Sequence, residues 1–200
     1  MEIVLLRHGE PRIDKRRRLS AASFGRWIDD YSAAGIEPAS RPPVDAIALA
    51  QRCAFVVCSN LPRSHESALA LGVPVIGLRD ALFRELYTPH ANWHFPRLRP
   101  GIWVVFFRLI WVAGHTADAE SVGEARARAR RCAQRLATLA TEHGSVLFVG
   151  HGALNWLIDR QLKRLGWRGP SRAPREYWEY GVYRWSEARN ESRCSTTENT

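Results

Sequence analysis

Short apolar runs bounded by polar or turn-forming residues recur five times along the chain, at 3–6, 55–58, 73–76, 145–149 and 181–185. Runs of that length read as buried strands. Between them the apolar period lengthens. Over 119–142, Val122, Ala125, Ala129, Cys132, Leu136 and Leu139 recur at spacings of three and four, which predicts a long amphipathic helix. Its other face carries Arg126, Arg128, Arg130, Arg131 and Arg135 and reads as solvated, with Glu124 four residues before Arg128 for a side-chain pair. Over 153–165, Leu154, Leu157, Ile158, Leu162 and Leu165 form a second stripe that stops at Gly166, a C-cap residue. A loop at 40–43 precedes a short helix over 44–52. Strands alternating with helices predict an α/β fold in three layers, a mainly parallel sheet flanked by helices.

The region 87–114 breaks this alternation, being rich in aromatics and prolines without a strong period, and reads as an insertion that covers a cleft. Inside it lies IWVVFFRLIWVAG, 102–114, interrupted by Arg108. It falls short of the roughly 20 apolar residues that a bilayer-spanning helix needs, so no transmembrane segment is expected. It reads as a buried or cleft-covering helix; the alternative is an interfacial helix anchored by Trp103 and Trp111. Residues 186–200 are polar and are expected to form a flexible tail, leaving 1–185 as a single domain.

Composition narrows the class. With 200 residues, 46% hydrophobic and 24% charged, the chain is long enough to bury a core without disulfides or a structural metal. Cys53, Cys58, Cys132 and Cys194 are too far apart for a CxxC pair, and the start at Met1-Glu2 has no export signal, so a cytoplasmic protein with reduced thiols is expected. The net charge of +9 implies an anionic ligand or surface.

Three of the expected strands run into polar segments with cationic or imidazole groups. The first leads into Arg7-His8-Gly9-Glu10, the second into Ser59-Asn60-Leu61-Pro62-Arg63, and the fourth into Gly150-His151-Gly152. Ligands of open α/β sheets bind beyond the carboxyl ends of the strands, so two arginines and two histidines should share one crevice. Such a cluster calls for an anion, and a phosphoryl group suits forked guanidinium donors. Like charges push a histidine placed there toward its neutral form. Neutral His8 then has a lone pair for attack on phosphorus, its second nitrogen held by an acceptor such as a backbone carbonyl. Gly9 and Gly152 are expected to let backbone N–H groups approach the phosphate.

Taken together and in order, Arg7-His8-Gly9-Glu10, Ser59-x-Leu61-x-Arg63-Ser64 and Gly150-His151-Gly152 resemble the histidine phosphatase superfamily, the phosphoglycerate mutase-like family, over about residues 1–185. The resemblance implies a phosphoglycerate mutase-like fold. It also implies that His8 is transiently phosphorylated while Arg7, Arg63 and His151 bind the phosphoryl group. The family's general acid maps onto Glu85, with Asp80 as the alternative. Glu10 and Asn60 are candidate substrate-binding residues, and Glu120 and Ser121 either cap the long helix, Ser121 and Glu124 having capping-box spacing, or touch substrate. Where the family often carries a Pro-Leu-Thr substrate segment, this chain has Pro11 and then Lys15-Arg16-Arg17-Arg18, read as an exposed loop or a cationic rim. Ser64 stands where the family often has Ala.

His90 and His94 lie four apart but lack an evident third ligand, so neither a metal nor another cofactor is expected. The expected activity is phosphomonoester hydrolysis on a phosphorylated small molecule or phosphoprotein. The alternatives are a mutase-like phosphotransferase and a non-catalytic module binding an anion or nucleic acid, and nucleic acid is not the expected partner.

Overall fold

In the computed structural model, which describes residues 1–116 and 119–185, the first strand β1 (Glu2–Arg7) is buried along Ile3, Val4, Leu5 and Leu6. Two buried faces require cover on both sides. The chain continues through α1 (Ala21–Ala33), α2 (Val44–Arg52), β2 (Phe55–Ser59), α3 (Pro62–Ala70), β3 (Leu78–Asp80), α4 (Pro100–Val112), α5 (Val122–His143), β4 (Ser145–Gly150), α6 (Gly152–Arg164) and β5 (Tyr180–Arg184). The sheet order is β3-β2-β4-β1-β5, parallel except for the antiparallel edge strand β5. Ile3, Leu5, Val57 and Phe148 face α5 and α6, while Val4, Leu6, Val56 and Val149 face α2 and α3. This is the three-layer α/β architecture that the periodicity predicts. The polar segment 186–200, including Cys194, lies outside the described residues.

The run 73–76 is not a strand. Pro74 has no N–H for a ladder, and Val75 is 71% exposed. The chain joins the sheet only when Gly77 N donates to the Val56 carbonyl at 2.9 Å. A Cβ on Gly77 would meet the Phe55 ring at 2.4 Å, so only glycine lets the backbone approach there. The helix α1 has no counterpart in the sequence reading, although Ala21, Phe24 and Ile28 carry helical spacing and Ser20 caps it by accepting from Ser23 N.

The capping box at α5 forms as its spacing predicts: Ser121 Oγ accepts from Glu124 N, and the Glu124 carboxylate accepts from Ser121 N at 2.8 Å. That contact removes the expected partner of Arg128. Arg128 turns back to Glu120 instead, with Nε 2.9 Å from Oε2. The other arginines of this face are exposed, as a solvated surface would be.

α1 and α4 pack on each other through Ala21, Phe24, Ile28, Trp103 and Phe107, forming a small core outside the main sheet. The apolar segment is therefore a helix against the cleft, but its tryptophans point inward. Trp103 is 2% and Trp111 6% exposed, with Trp103 Nε1 donating to the Leu19 carbonyl and Trp111 Nε1 to the Glu120 carbonyl. Neither can anchor the helix to a lipid surface. No helix among the described residues is long and apolar enough to cross a membrane.

Candidate active site

The ends of β1, β2 and β4 lie side by side, with Arg7 opposite Gly150 and Cys58 opposite Val149 in register. Each strand delivers its polar segment to the same place. His8 follows β1, His151 follows β4 and N-caps α6, and Arg63 sits in the first turn of α3, where Pro62 is accommodated because early helix N–H groups have no helical partner. Ser64 fastens the strand ends: Ser59 N donates to its Oγ at 3.0 Å, and that hydroxyl donates to the Val149 carbonyl at 2.6 Å. An alanine there could do neither.

His8 and His151 are fully buried, with ring centroids 5.1 Å apart. His8 Nδ1 lies 2.7 Å from the Gly9 carbonyl, which fixes the proton on Nδ1 and leaves the lone pair on Nε2. Arg63 Nε donates to that Nε2 at 3.3 Å. Arg63 is held by donation to the Tyr31 carbonyl at 2.6 Å and by the Tyr31 ring beneath its guanidinium at 4.3 Å. His151 Nε2 meets Ser59 Oγ at 2.7 Å, and that oxygen also accepts from Leu61 N. Arg7 donates to the Arg175 carbonyl and lies 4.3 Å over the Tyr177 ring. Among the described residues, Arg7 Nε and His151 Nδ1 are buried with no hydrogen-bond partner.

Burial, then the neighbouring His151 and the Arg63 cation, hold the His8 imidazolium well below its ordinary range. Burial, then Arg63 and Arg7, do the same for His151. Both rings are neutral near pH 7. The unfolded chain takes up protons on them near pH ~6.5 whereas the folded chain does not, so their contribution to stability is full above that pH. It is lost as pH falls from there toward the lowered folded values, at up to ~2.7 kcal/mol per pH unit for the pair. Urea denaturation between about pH 7.5 and about pH 5 should show this slope. The His8→Gln/His151→Gln double variant should flatten it, and an equal slope in that variant would contradict the assignment.

Gly9 acts differently from expectation. Gly9 N–H is spent on Ser67 Oγ at 2.9 Å, and a Cβ on Gly9 would stand 2.3 Å from the Trp178 ring. Gly9 therefore makes room for Trp178. A Cβ on Gly152 would lie 3.4 Å from the Arg7 guanidinium, an ordinary contact, so space alone does not require glycine there. Trp178 itself has φ of +64°, in the left-handed region, and its N–H donates to the Arg7 carbonyl at 3.0 Å. This turn sets Tyr177 against both Arg7 and His8, the latter at a ring distance of 5.8 Å.

A cavity of about 1050 Å³ is lined by Arg7 and Arg63 and by residues of α1 and α4, whereas the fully buried His8 and His151 are not among its lining residues. Glu85 lines it and accepts from Leu86 N at 2.9 Å and from Leu154 N at 3.1 Å, which holds the carboxylate at the N-terminus of α6. Asp80 does not line it; its carboxylate accepts from Leu82 N at 2.8 Å and caps the short 3-10 turn Ala81–Phe83. Glu10 and Asn60 also lie outside the lining. Glu10 pairs with Lys15 at 2.5 Å, and the Asn60 carbonyl accepts from Arg79. Lys15 does line the cavity, its Nζ 4.7 Å from the Tyr177 ring, while Arg16, Arg17 and Arg18 are exposed. His90 packs against Gly25 and Tyr87, and His94 is exposed.

Sequence reasoning brings Arg7, His8, Arg63, His151 and Glu85 to one place and misses those that fix them. Tyr31 and Tyr177 come from segments without a motif. Ser59 stands inside a motif, where a hydroxyl two residues before Leu61 could have been read as a turn acceptor.

The sequence matches the family model of the histidine phosphatase superfamily (branch 1) over residues 3–196. A search of curated proteins finds no match. Among solved structures, a mycobacterial glucosyl-3-phosphoglycerate phosphatase complexed with VO3 is similar at 19% identity and TM-score 0.59, covering 92% of this chain and 96% of that one. Bacillus stearothermophilus YhfR is similar at 17% identity and TM-score 0.60, covering 92% and 95%. The ecdysone phosphate phosphatase from Bombix mori shares 17% identity at TM-score 0.55, covering 92% and 88%. The structural likenesses speak to the fold, and the family model spans nearly the whole sequence. On that match, and with its three motifs meeting at the strand ends, the chain belongs to the histidine phosphatase superfamily, branch 1.

Proposed function

We propose that the protein is a phosphatase that hydrolyses a phosphomonoester through a phosphohistidine on Nε2 of His8. The observation that carries this reading is the buried neutral imidazole whose Nε2 lone pair accepts from Arg63 Nε, beside two buried nitrogens, Arg7 Nε and His151 Nδ1, that have no hydrogen-bond partner among the described residues. A phosphoryl group supplies the acceptor oxygens these donors call for. Ser59 Oγ accepts from Leu61 N and directs its own proton to His151 Nε2, which leaves His151 protonated at Nδ1 as a donor.

In the first step His8 Nε2 bonds to phosphorus as the ester P–O bond breaks, and Glu85 gives its proton to the leaving alkoxide oxygen. The Gly9 carbonyl accepts from Nδ1–H as positive charge grows on the ring. In the second step water attacks phosphorus, Glu85 takes the water proton, and the N–P bond breaks to return the lone pair to Nε2. Arg7, Arg63 and His151 stabilise the phosphoryl oxygens through both steps. Glu85 suits the acid role better than Asp80 because it lines the cavity, whereas Asp80 is committed to a cap. Residues 1–185 would act as one domain, with 87–114 walling the cavity. The free thiols Cys53, Cys58 and Cys132 suit the cytoplasm.

The purified protein should hydrolyse p-nitrophenyl phosphate in EDTA, releasing one phosphate per nitrophenol. Transfer of the phosphoryl group to an added phosphoglycerate would make it a mutase. No turnover, with nucleic-acid affinity that falls steeply with salt, would make it a binding module.

A further inference from the structure

We propose that the exposed face of α4 docks on an anionic membrane surface. α4 is apolar almost all round, a pattern expected of a helix covered on every side. Pro100, Trp103, Phe107 and Trp111 are buried, and Val104 and Ile110 are partly covered by the small core. The opposite side presents Ile102 at 51% exposure, Leu109 at 67% and Val112 at 67%, with Val105 and Phe106 between them. Their spacings of three and four place them on one face over about 15 Å of helix. Trp93 packs edge-on against Phe106 at 6.1 Å and is itself half exposed, and Phe95 beside it is 84% exposed. Monomeric proteins rarely expose an apolar patch of this kind without a use for it. The face carries no charge, because Arg108 turns inward and donates to the Leu86 and Tyr87 carbonyls.

The surroundings of this face select its occupant. Leu19 and Leu98 exchange backbone hydrogen bonds at 2.8 and 2.9 Å, and the Leu19 carbonyl also accepts from Trp103. Those contacts bring the exposed Arg18, next to Leu19, beside the exposed Arg97 and Arg99 at the N-terminal end of α4, with the exposed Arg16 and Arg17 immediately before it in the chain. A short apolar helix flanked by arginines matches the boundary between anionic headgroups and acyl chains. A second copy seated on the same face with its α4 parallel to this one would bring two arginine rims together, which like-charge repulsion opposes. The face also adjoins the cavity: Ile102 belongs to both, next to Arg99 and Gly101 in the cavity lining. Docking there would place the cavity mouth at the lipid surface. The docking surface stands apart from the phosphatase reading, though its use in catalysis rests on it.

The test is flotation of the full chain with vesicles of phosphatidylcholine, with and without phosphatidylglycerol, alongside turnover of soluble p-nitrophenyl phosphate. Phosphatidylglycerol should raise the vesicle-bound fraction about tenfold or more, and high salt should reverse this. The Val105→Glu/Leu109→Glu variant, outside the cavity lining, should lose vesicle binding about tenfold or more while keeping soluble turnover. Active protein that ignores phosphatidylglycerol vesicles would overturn the docking and leave the phosphatase reading standing. Vesicle binding by protein without turnover would support the docking and count against that reading. A concentration-dependent dimer that the variant abolishes, without vesicle binding, would also overturn the proposal by assigning the face to a second copy.

Discussion

His8→Ala is expected to lower phosphatase turnover by about 10⁴-fold or more, equivalent to about 5 kcal/mol of transition-state free energy, because no other group can replace the nucleophile. Arg7, Arg63 and His151 are all donors in this arrangement, and Glu85 is held at the α6 N-terminus. None presents a lone pair where Nε2 lies. The fold should persist. The ring makes two hydrogen bonds, from Nδ1 to the Gly9 carbonyl and to Nε2 from Arg63 Nε, whose loss costs about 1 kcal/mol and about 1.5–3 kcal/mol respectively. Its removal also relieves the crowding of imidazole against imidazole and guanidinium. Steady-state assays with p-nitrophenyl phosphate, paired with thermal denaturation, separate the two effects. A folded His8→Ala protein with wild-type turnover would remove His8 from the mechanism.

Arg63→Ala is the second large effect. This side chain is 1% exposed, stacked on Tyr31 and tied to the Tyr31 carbonyl, so its guanidinium is oriented before any phosphate arrives. Losing one preorganised donor of this type costs about 100-fold to about 1000-fold in turnover. Arg63→Lys keeps the charge but not the fork that bonds Tyr31 and the phosphoryl group together, so it should recover only part of the loss. The variant also leaves the Tyr31 carbonyl without its donor and should lower stability modestly, by about 1–3 kcal/mol. Equal turnover in all three proteins, measured at saturating substrate, would show that Arg63 does not touch the transition state.

The parts of this site that the sequence makes legible are those attached to regular strands. β1, β2 and β4 are continuous apolar runs, and a parallel sheet requires their carboxyl ends to lie together, so Arg7-His8, Arg63 and His151 could be placed without knowing any side-chain contact. β3 is illegible for the opposite reason. The apolar signal falls on 73–76, where Pro74 and an exposed Val75 prevent pairing, while the true strand is three residues long and carries Arg79 and Asp80. The ion pair of Arg128 shows a local competition that spacing cannot rank: Glu124 can serve the helix cap or the arginine, and the cap takes it. Tyr177 is illegible because it depends on Trp178 adopting a left-handed backbone conformation and filling the space above Gly9. A glycine beside His8 invites a reading in terms of phosphate contact, yet here a packing contact 169 residues later in the chain demands it. The tryptophans of α4 mislead in a similar way. They look like membrane anchors in sequence but form the inner face, and the aliphatic residues between them are the ones exposed.

The central claim, a phosphoryl group carried on His8, is tested most directly by mixing the enzyme with a radiolabelled phosphomonoester, quenching within one turnover and locating the label by peptide mapping. Acid-labile, alkali-stable label is expected on the peptide containing His8, absent from His8→Ala and accumulating in Glu85→Gln, where hydrolysis of the intermediate is slowed. Turnover without any labelled protein in wild type and Glu85→Gln alike, or label on a residue other than His8, would contradict it.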